Sequence, residues 1–121
     1  MLNETAPVRI DYDDLELDDQ LALADGKPFT GTVFSRHPDG SLESQGSYVE
    51  GLPEGVQEEW YPGGQIARRW IAVRGQGSSE AWSWHTNGAI RSYRRNVDQR
   101  PVDIRAWDKQ GNPIDPSLLR D

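Results

Sequence analysis

At 121 residues the chain has the length of one domain, and a net charge of −7, 35% hydrophobic content and a mean hydropathy of −0.80 make it polar for a globular fold. It contains no cysteine, which excludes disulfides and thiolate metal sites. No apolar run approaches the roughly 20 residues of a bilayer-spanning helix, and the first 25 residues hold one Arg and no apolar core segment, so a secretory signal is not expected and a soluble, cytoplasmic protein is.

The N-terminal segment, residues 1–19, carries the charge. Residues 1–25 hold eight acids against the single Arg9, and the remaining twelve acids and twelve bases cancel. Residues 1–7 are expected to be disordered. Over residues 8–19 the alternation of Val8, Ile10 and Tyr12 suggests a strand, while a short helix around 12–23 fits nearly as well. Leu15, Leu17, Leu21 and Leu23 interleave with the acids, so part of this arm is expected to dock, and "QLALADG" (20–26) reads as the return strand of a truncated first repeat.

From there to residue 114 the chain repeats. "FSRHPDGSL" (34–42), "EEWYPGGQI" (58–66), "WSWHTNGAI" (82–90) and "RAWDKQGNPI" (105–114) align on Gly40, Gly64, Gly88 and Gly111, spaced by 24, 24 and 23. Four residues before each glycine stand Arg36, Trp60, Trp84 and Trp107, and three before stand His37, Tyr61, His85 and Asp108. Pro38-Asp39-Gly40, Pro62-Gly63-Gly64 and Thr86-Asn87-Gly88 have the chemistry of a type I turn closed by a left-handed glycine. The flanking segments alternate: Val56, Glu58 and Trp60 fall on one face, Gln57, Glu59 and Tyr61 on the other. These features predict an all-β fold of tandem antiparallel hairpins side by side in one extended twisted sheet over 20–114, followed by a cap or tail at 115–121 that starts on Asp115. Five Trp, four Tyr and two Phe are expected to supply much of the core, with Trp60, Trp84 and Trp107 in a cross-strand ladder. Twelve Gly and eight Pro argue against long helices.

The segment "GVQEEWYPGGQI" (55–66) resembles the MORN-type repeat in its short bacterial form, Gly-x-x-x-x-Trp-Tyr-x-x-Gly-x-(Ile/Leu). "GTVFSRHPDGSL" (31–42) keeps the glycines with Arg36 and His37 in place of the aromatic pair, and "SEAWSWHTNGAI" (79–90) has Ser79 in place of the first glycine. The resemblance covers about 24–114. It implies a hairpin-repeat sheet and membership of the YwqK-like antitoxin or immunity group, whose members bind and neutralise a toxin without catalysis.

Chemistry is sparse. His37 and His85 share one column two repeats apart, which suits turn-flanking polar aromatics better than a metal or catalytic pair. The acidic run from Asp11 does not fit an EF-hand loop, since Glu16 and Ala22 stand where Gly and Glu are needed. No catalytic residue, metal site or cofactor is therefore expected. An acidic arm interleaved with leucines suits a basic partner surface, so Asp11, Asp13, Asp14, Asp18 and Asp19, with His37, Tyr61, Trp84 and His85, are the candidate partner-binding residues. The arginines between 66 and 105, with Trp70, Trp82, Trp84 and Tyr93 nearby, suggest as an alternative a scaffold binding anionic lipid, or intramolecular docking of the acidic arm on an arginine face. A pI near 4.7 counts against nucleic acid. The expected partner is a protein, such as a toxin with a basic surface.

Overall fold

A computed structural model describes residues 8–119. Residues 1–7, where disorder is expected, and the last two of the tail lie outside that range. The order is β1 (Arg9–Asp11), a 3-10 turn (Tyr12–Asp14), β2 (Glu16–Asp18), β3 (Leu21–Ala24), β4 (Lys27–Pro28), β5 (Gly31–Arg36), β6 (Leu42–Val49) and β7 (Leu52–Trp60). Then come β8 (Ile66–Ala72), β9 (Ser78–Trp84), β10 (Ile90–Val97), β11 (Arg100–Trp107), β12 (Pro113–Ile114) and a 3-10 turn (Pro116–Leu118). Strands β5 to β12 form the predicted array, each antiparallel to the next, and β1 adds to the free edge of β5 in parallel, with Ile10 beside Val33. Among the described residues no helix is long and apolar enough to cross a membrane.

Four turns are built alike. The N–H of His37, Tyr61, His85 and Asp108 donates to the carbonyl four residues on, and that of Gly40, Gly64, Gly88 and Gly111 donates to the carbonyl three back. Each of these glycines has φ between +89° and +106°, the left-handed region the turn requires. At the opposite end, Glu50-Gly51 and Asp98-Gln99 take positive φ at both corners, the two-residue turn whose twist matches antiparallel strands.

Several expectations are corrected. "QLALADG" is not a return strand of the main array: β3 pairs with β2 and β4 in a separate three-stranded sheet. That sheet abuts the β6–β7 turn, where Ala22 N–H donates to Gly51 O at 2.9 Å and Gly51 N–H to Phe29 O at 2.8 Å. The helix around 12–23 reduces to one 3-10 turn, which Asp11 caps by accepting from Asp13 N–H at 2.9 Å. The tail does start on Asp115, whose side chain accepts from Ser117 N–H. Strict alternation fails near the repeated turns, because β5–β6, β7–β8 and β9–β10 each contain a β-bulge one step from the turn.

The aromatics do not fill a core. Phe29 is buried, but the other buried residues are small or polar: Ala22, Val33, Gln57, Ala67, Ala72, Ser83 and Ala106. All five Trp are half-buried. A single-layer sheet has no interior thick enough for indoles, so they lie along its faces. The Trp60, Trp84 and Trp107 ladder is not formed by ring contact. Each repeat contributes two strands, so successive members stand about 10 Å apart, beyond the 4.5–7 Å of interacting rings. The aromatic pair among the described residues is instead Trp82 with Tyr93, 5.7 Å between centroids on adjacent strands.

Candidate functional site

Directly opposed residues share a face and successive ones alternate, so the register sorts the side chains. One face carries Ser35, Ser44, Glu59, Arg68, Ala81, Ser83, Ser92, Arg94 and Ile104; the other carries Glu58, Arg69, Trp82, Glu80, Tyr93, Arg95, Asp103 and Arg105. The arginines therefore do not form one face, as the sequence suggested. The acidic arm does not dock on them either, since β1 and its turn lie at the β5 edge.

The two faces differ in how their charges are used. On the second face Arg69 donates to Glu58 at 2.7 Å, Tyr93 hydroxyl to Glu80 at 2.6 Å and Arg105 to Asp103 at 3.1 Å. The Glu80 carboxylate holds the Tyr93 phenol above its ordinary range by accepting its proton in that bond. The first face forms the floor of a broad groove of about 1640 Å³, running from Asp11 and Asp13 at one edge to Pro116, Ser117 and Leu119 at the other. Ser35 and Ser44 share a hydrogen bond at 2.6 Å, and Ser83 and Ser92 share one in the same column of the third repeat. In the second repeat that column holds Glu59 and Arg68, 3.4 Å apart.

A second column crosses the strands. His37 Nε2 stands 2.8 Å from the Trp60 carbonyl, Tyr61 hydroxyl 2.7 Å from that of Trp84, and His85 Nε2 2.8 Å from that of Trp107. A carbonyl only accepts, so each imidazole Nε2 carries its proton. Each ring joins one repeat to the next, 22 or 23 residues on. The column mixes His and Tyr because the contact requires only a ring-borne donor of the right reach. The fourth member, Asp108, instead accepts from Asn112 and Gln110 N–H at 2.9 Å, which holds its carboxyl below the usual carboxylate range, as Ser41 does for Asp39.

Of the candidate residues, Asp11, Asp13, His37, Tyr61 and His85 line the groove. Asp14 is exposed on the 3-10 turn, and Asp18 and Asp19 are exposed on the small sheet and its turn, outside the groove lining. Trp84 is half-buried and enters the ring column through its carbonyl. Glu43 and Lys109, which sequence reasoning did not single out, also line the groove, as do Glu59 and, from the arginine cluster, Arg68 and Arg94. The signal was the column pairing across each hairpin, hidden by the bulge that shifts Glu43 onto the groove side, where it accepts from Ser35 hydroxyl at 3.1 Å. Comparison with protein-family models, curated proteins and solved structures finds no match to this chain.

Proposed function

We propose that this protein is a non-enzymatic protein-binding module, an antitoxin or immunity protein that neutralises a cognate toxin by covering its surface. The observation that carries the binding reading is the groove face: a run of sheet with charged and half-buried aromatic groups along it, while the two 3-10 turns pack against β5 and β11 and the small sheet against the β6–β7 turn. A face of that size rimmed by polar groups is the kind of surface that marks a protein interface. Support for the absence of catalysis comes from the same side chains. The Nε2 protons of both histidines are committed to backbone carbonyls, and the groove-floor serines bond to one another, Ser35 also to the Glu43 carboxylate, with no histidine among their partners. The toxin as partner rests on the resemblance of residues 55–66 to the MORN-type repeat. Binding of anionic lipid draws less support, because the register divides Arg68 and Arg94 from Arg69, Arg95 and Arg105.

The test is rescue. Genes adjacent to this one are expressed singly in a heterologous host, and any that arrests growth is co-expressed with this protein. Restored growth with a stable co-purifying complex is the expected outcome; a toxic neighbour that is not rescued refutes the antitoxin assignment.

A further inference from the structure

The groove is electrically divided. In the order β1-β5-β6-β7-β8-β9-β10-β11-β12, its acids fall on the first half and its bases almost entirely on the second. Asp13 follows β1, Glu43 is on β6 and Glu59 on β7; Arg68 is on β8, Arg94 on β10 and Lys109 in the β11–β12 turn. The one base among the acids, Arg36, donates to Gly40 O at 3.1 Å with its guanidinium over the Phe34 ring. Opposite charges of the two halves meet at the border, where Glu59 and Arg68 stand 3.4 Å apart. On the other face, by contrast, acid and base sit side by side, Glu58 with Arg69 across β7–β8 and Asp103 with Arg105 along β11.

From this ordering we infer that the groove receives a polypeptide segment whose charges come in two blocks, basic over the β1–β7 half and acidic over the β8–β12 half, lying across the strands. The inference rests on the protein-binding reading above and specifies the chemistry of the partner. From Glu43 on β6 to the turn after β11 is five strand spacings, about 24 Å at about 4.8 Å each. A helix of about 16 residues or an extended segment of about 7 covers that distance. A segment of one sign gains attraction in one half and loses it in the other. A two-block segment gains in both. The same ordering fixes its direction, since reversal sets like charge against like.

The experiment uses the full-length protein and three synthetic peptides: a Lys block joined to a Glu block, an alternating Lys-Glu isomer of equal composition, and a Glu block alone. Binding is followed by amide chemical shifts at low ionic strength and again at high salt. The two-block peptide is expected to bind at least about tenfold more tightly than the alternating isomer, a difference of about 1.4 kcal/mol. It is also expected to perturb residues in both halves of the groove and to release as salt is added. The Glu block alone should perturb only the β8–β12 half. Asp13→Lys with Glu43→Lys, or Arg94→Glu with Lys109→Glu, should each weaken the two-block peptide about tenfold, and Arg95→Glu on the other face should not.

All four groove changes together should restore binding, because the peptide then turns end for end; that rescue also shows the variants fold. Equal binding of the alternating isomer, shifts confined to the other face, or no rescue in the fourfold variant overturns the inference. Growth assays separate it from the function proposed above. If the wild type and both double variants rescue a toxic neighbour equally, the groove is not the docking site and the antitoxin function stands. If the wild type rescues nothing, the antitoxin function falls and the peptide result is judged alone.

Discussion

Gly46 offers the sharpest quantitative test of the sheet's packing. It lies opposite Gln57 on β6–β7, and its backbone does not occupy the left-handed region, so the need for glycine is one of space. A β-carbon at Gly46 would stand 1.7 Å from Gln57 Oε1 and 2.5 Å from Cδ, so the Gln57 side chain must move away. That side chain is only 6% exposed, and its amide donates to Ser47 O at 2.8 Å. Giving up a buried hydrogen bond costs about 1–3 kcal/mol, and crowding a packed site costs a similar amount. The two overlap, so Gly46→Ala is expected to destabilise by about 2–4 kcal/mol, a fall of roughly 10 °C in Tm for a domain of this length. Gln57→Ala alone removes the donor to Ser47 O and should cost about 1–2 kcal/mol. In the double variant the new methyl occupies the space the amide vacated, so the two costs should fall short of additivity by at least about 1 kcal/mol. Urea unfolding followed by tryptophan fluorescence measures all four proteins. Additive losses, or a Gly46→Ala loss below about 0.5 kcal/mol, refute the account of Gly46 as the seat of the Gln57 amide.

Three further predictions test the turns and the ring column. Tyr61→Phe removes the hydroxyl that reaches the Trp84 carbonyl and keeps the ring, so it should cost about 0.5–1.5 kcal/mol, with amide exchange faster around residues 84–90; unchanged exchange there refutes the joining role. Gln99 holds φ of +65° in the β10–β11 turn, and Gln99→Gly should raise the urea midpoint by the equivalent of about 0.5–1 kcal/mol. Asp39, Asp108 and Asp115 are held below the usual carboxylate range by the turn and cap hydrogen bonds they accept, first those from Ser41, Asn112 and Ser117 respectively. A depressed folded-state pKa means that their contribution is present above the ordinary carboxylate pKa and is lost as pH falls through the folded value. The urea midpoint should therefore drop below about pH 4, and Asp108→Asn should make that limb shallower; an unaltered slope refutes the assignment.

The hairpin array was legible because its determinants are local. Proline, Asx and glycine at fixed offsets specify each turn, and Gly40, Gly64, Gly88 and Gly111 all adopt the positive φ their positions require. The groove was less legible because it depends on register. One bulge per hairpin slides a residue across the pleat, so simple alternation extended through the turn misplaces Glu43 and Ala67. The acidic segment escaped for a different reason. Val8 to Asp19 carries alternation that suits a strand and acids that suit a helix start, and nothing local says that Arg9 to Asp11 pairs in parallel with residues more than twenty positions away.

The variability of the Tyr61 column illustrates how a sequence pattern misleads about exposure. A position holding His, Tyr, His and Asp suggests an outward-facing side chain. In the structure three of the four do the same work by different atoms: imidazole Nε2 and phenol oxygen lie at similar reach from the backbone and both donate. The fourth departs: among the described residues no further repeat offers it a carbonyl, and Asp108 instead closes its own turn. These rings line the groove while their polar ends bond to backbone carbonyls of the next repeat, so the groove presents their apolar edges. The charges of the groove come from the neighbouring columns, which is where Glu43, Glu59, Arg68 and Arg94 stand. Constant ring contacts thus hold the repeats in line, and the residues beside them are free to differ from one repeat to the next, which is how a repeating frame comes to carry a non-repeating surface.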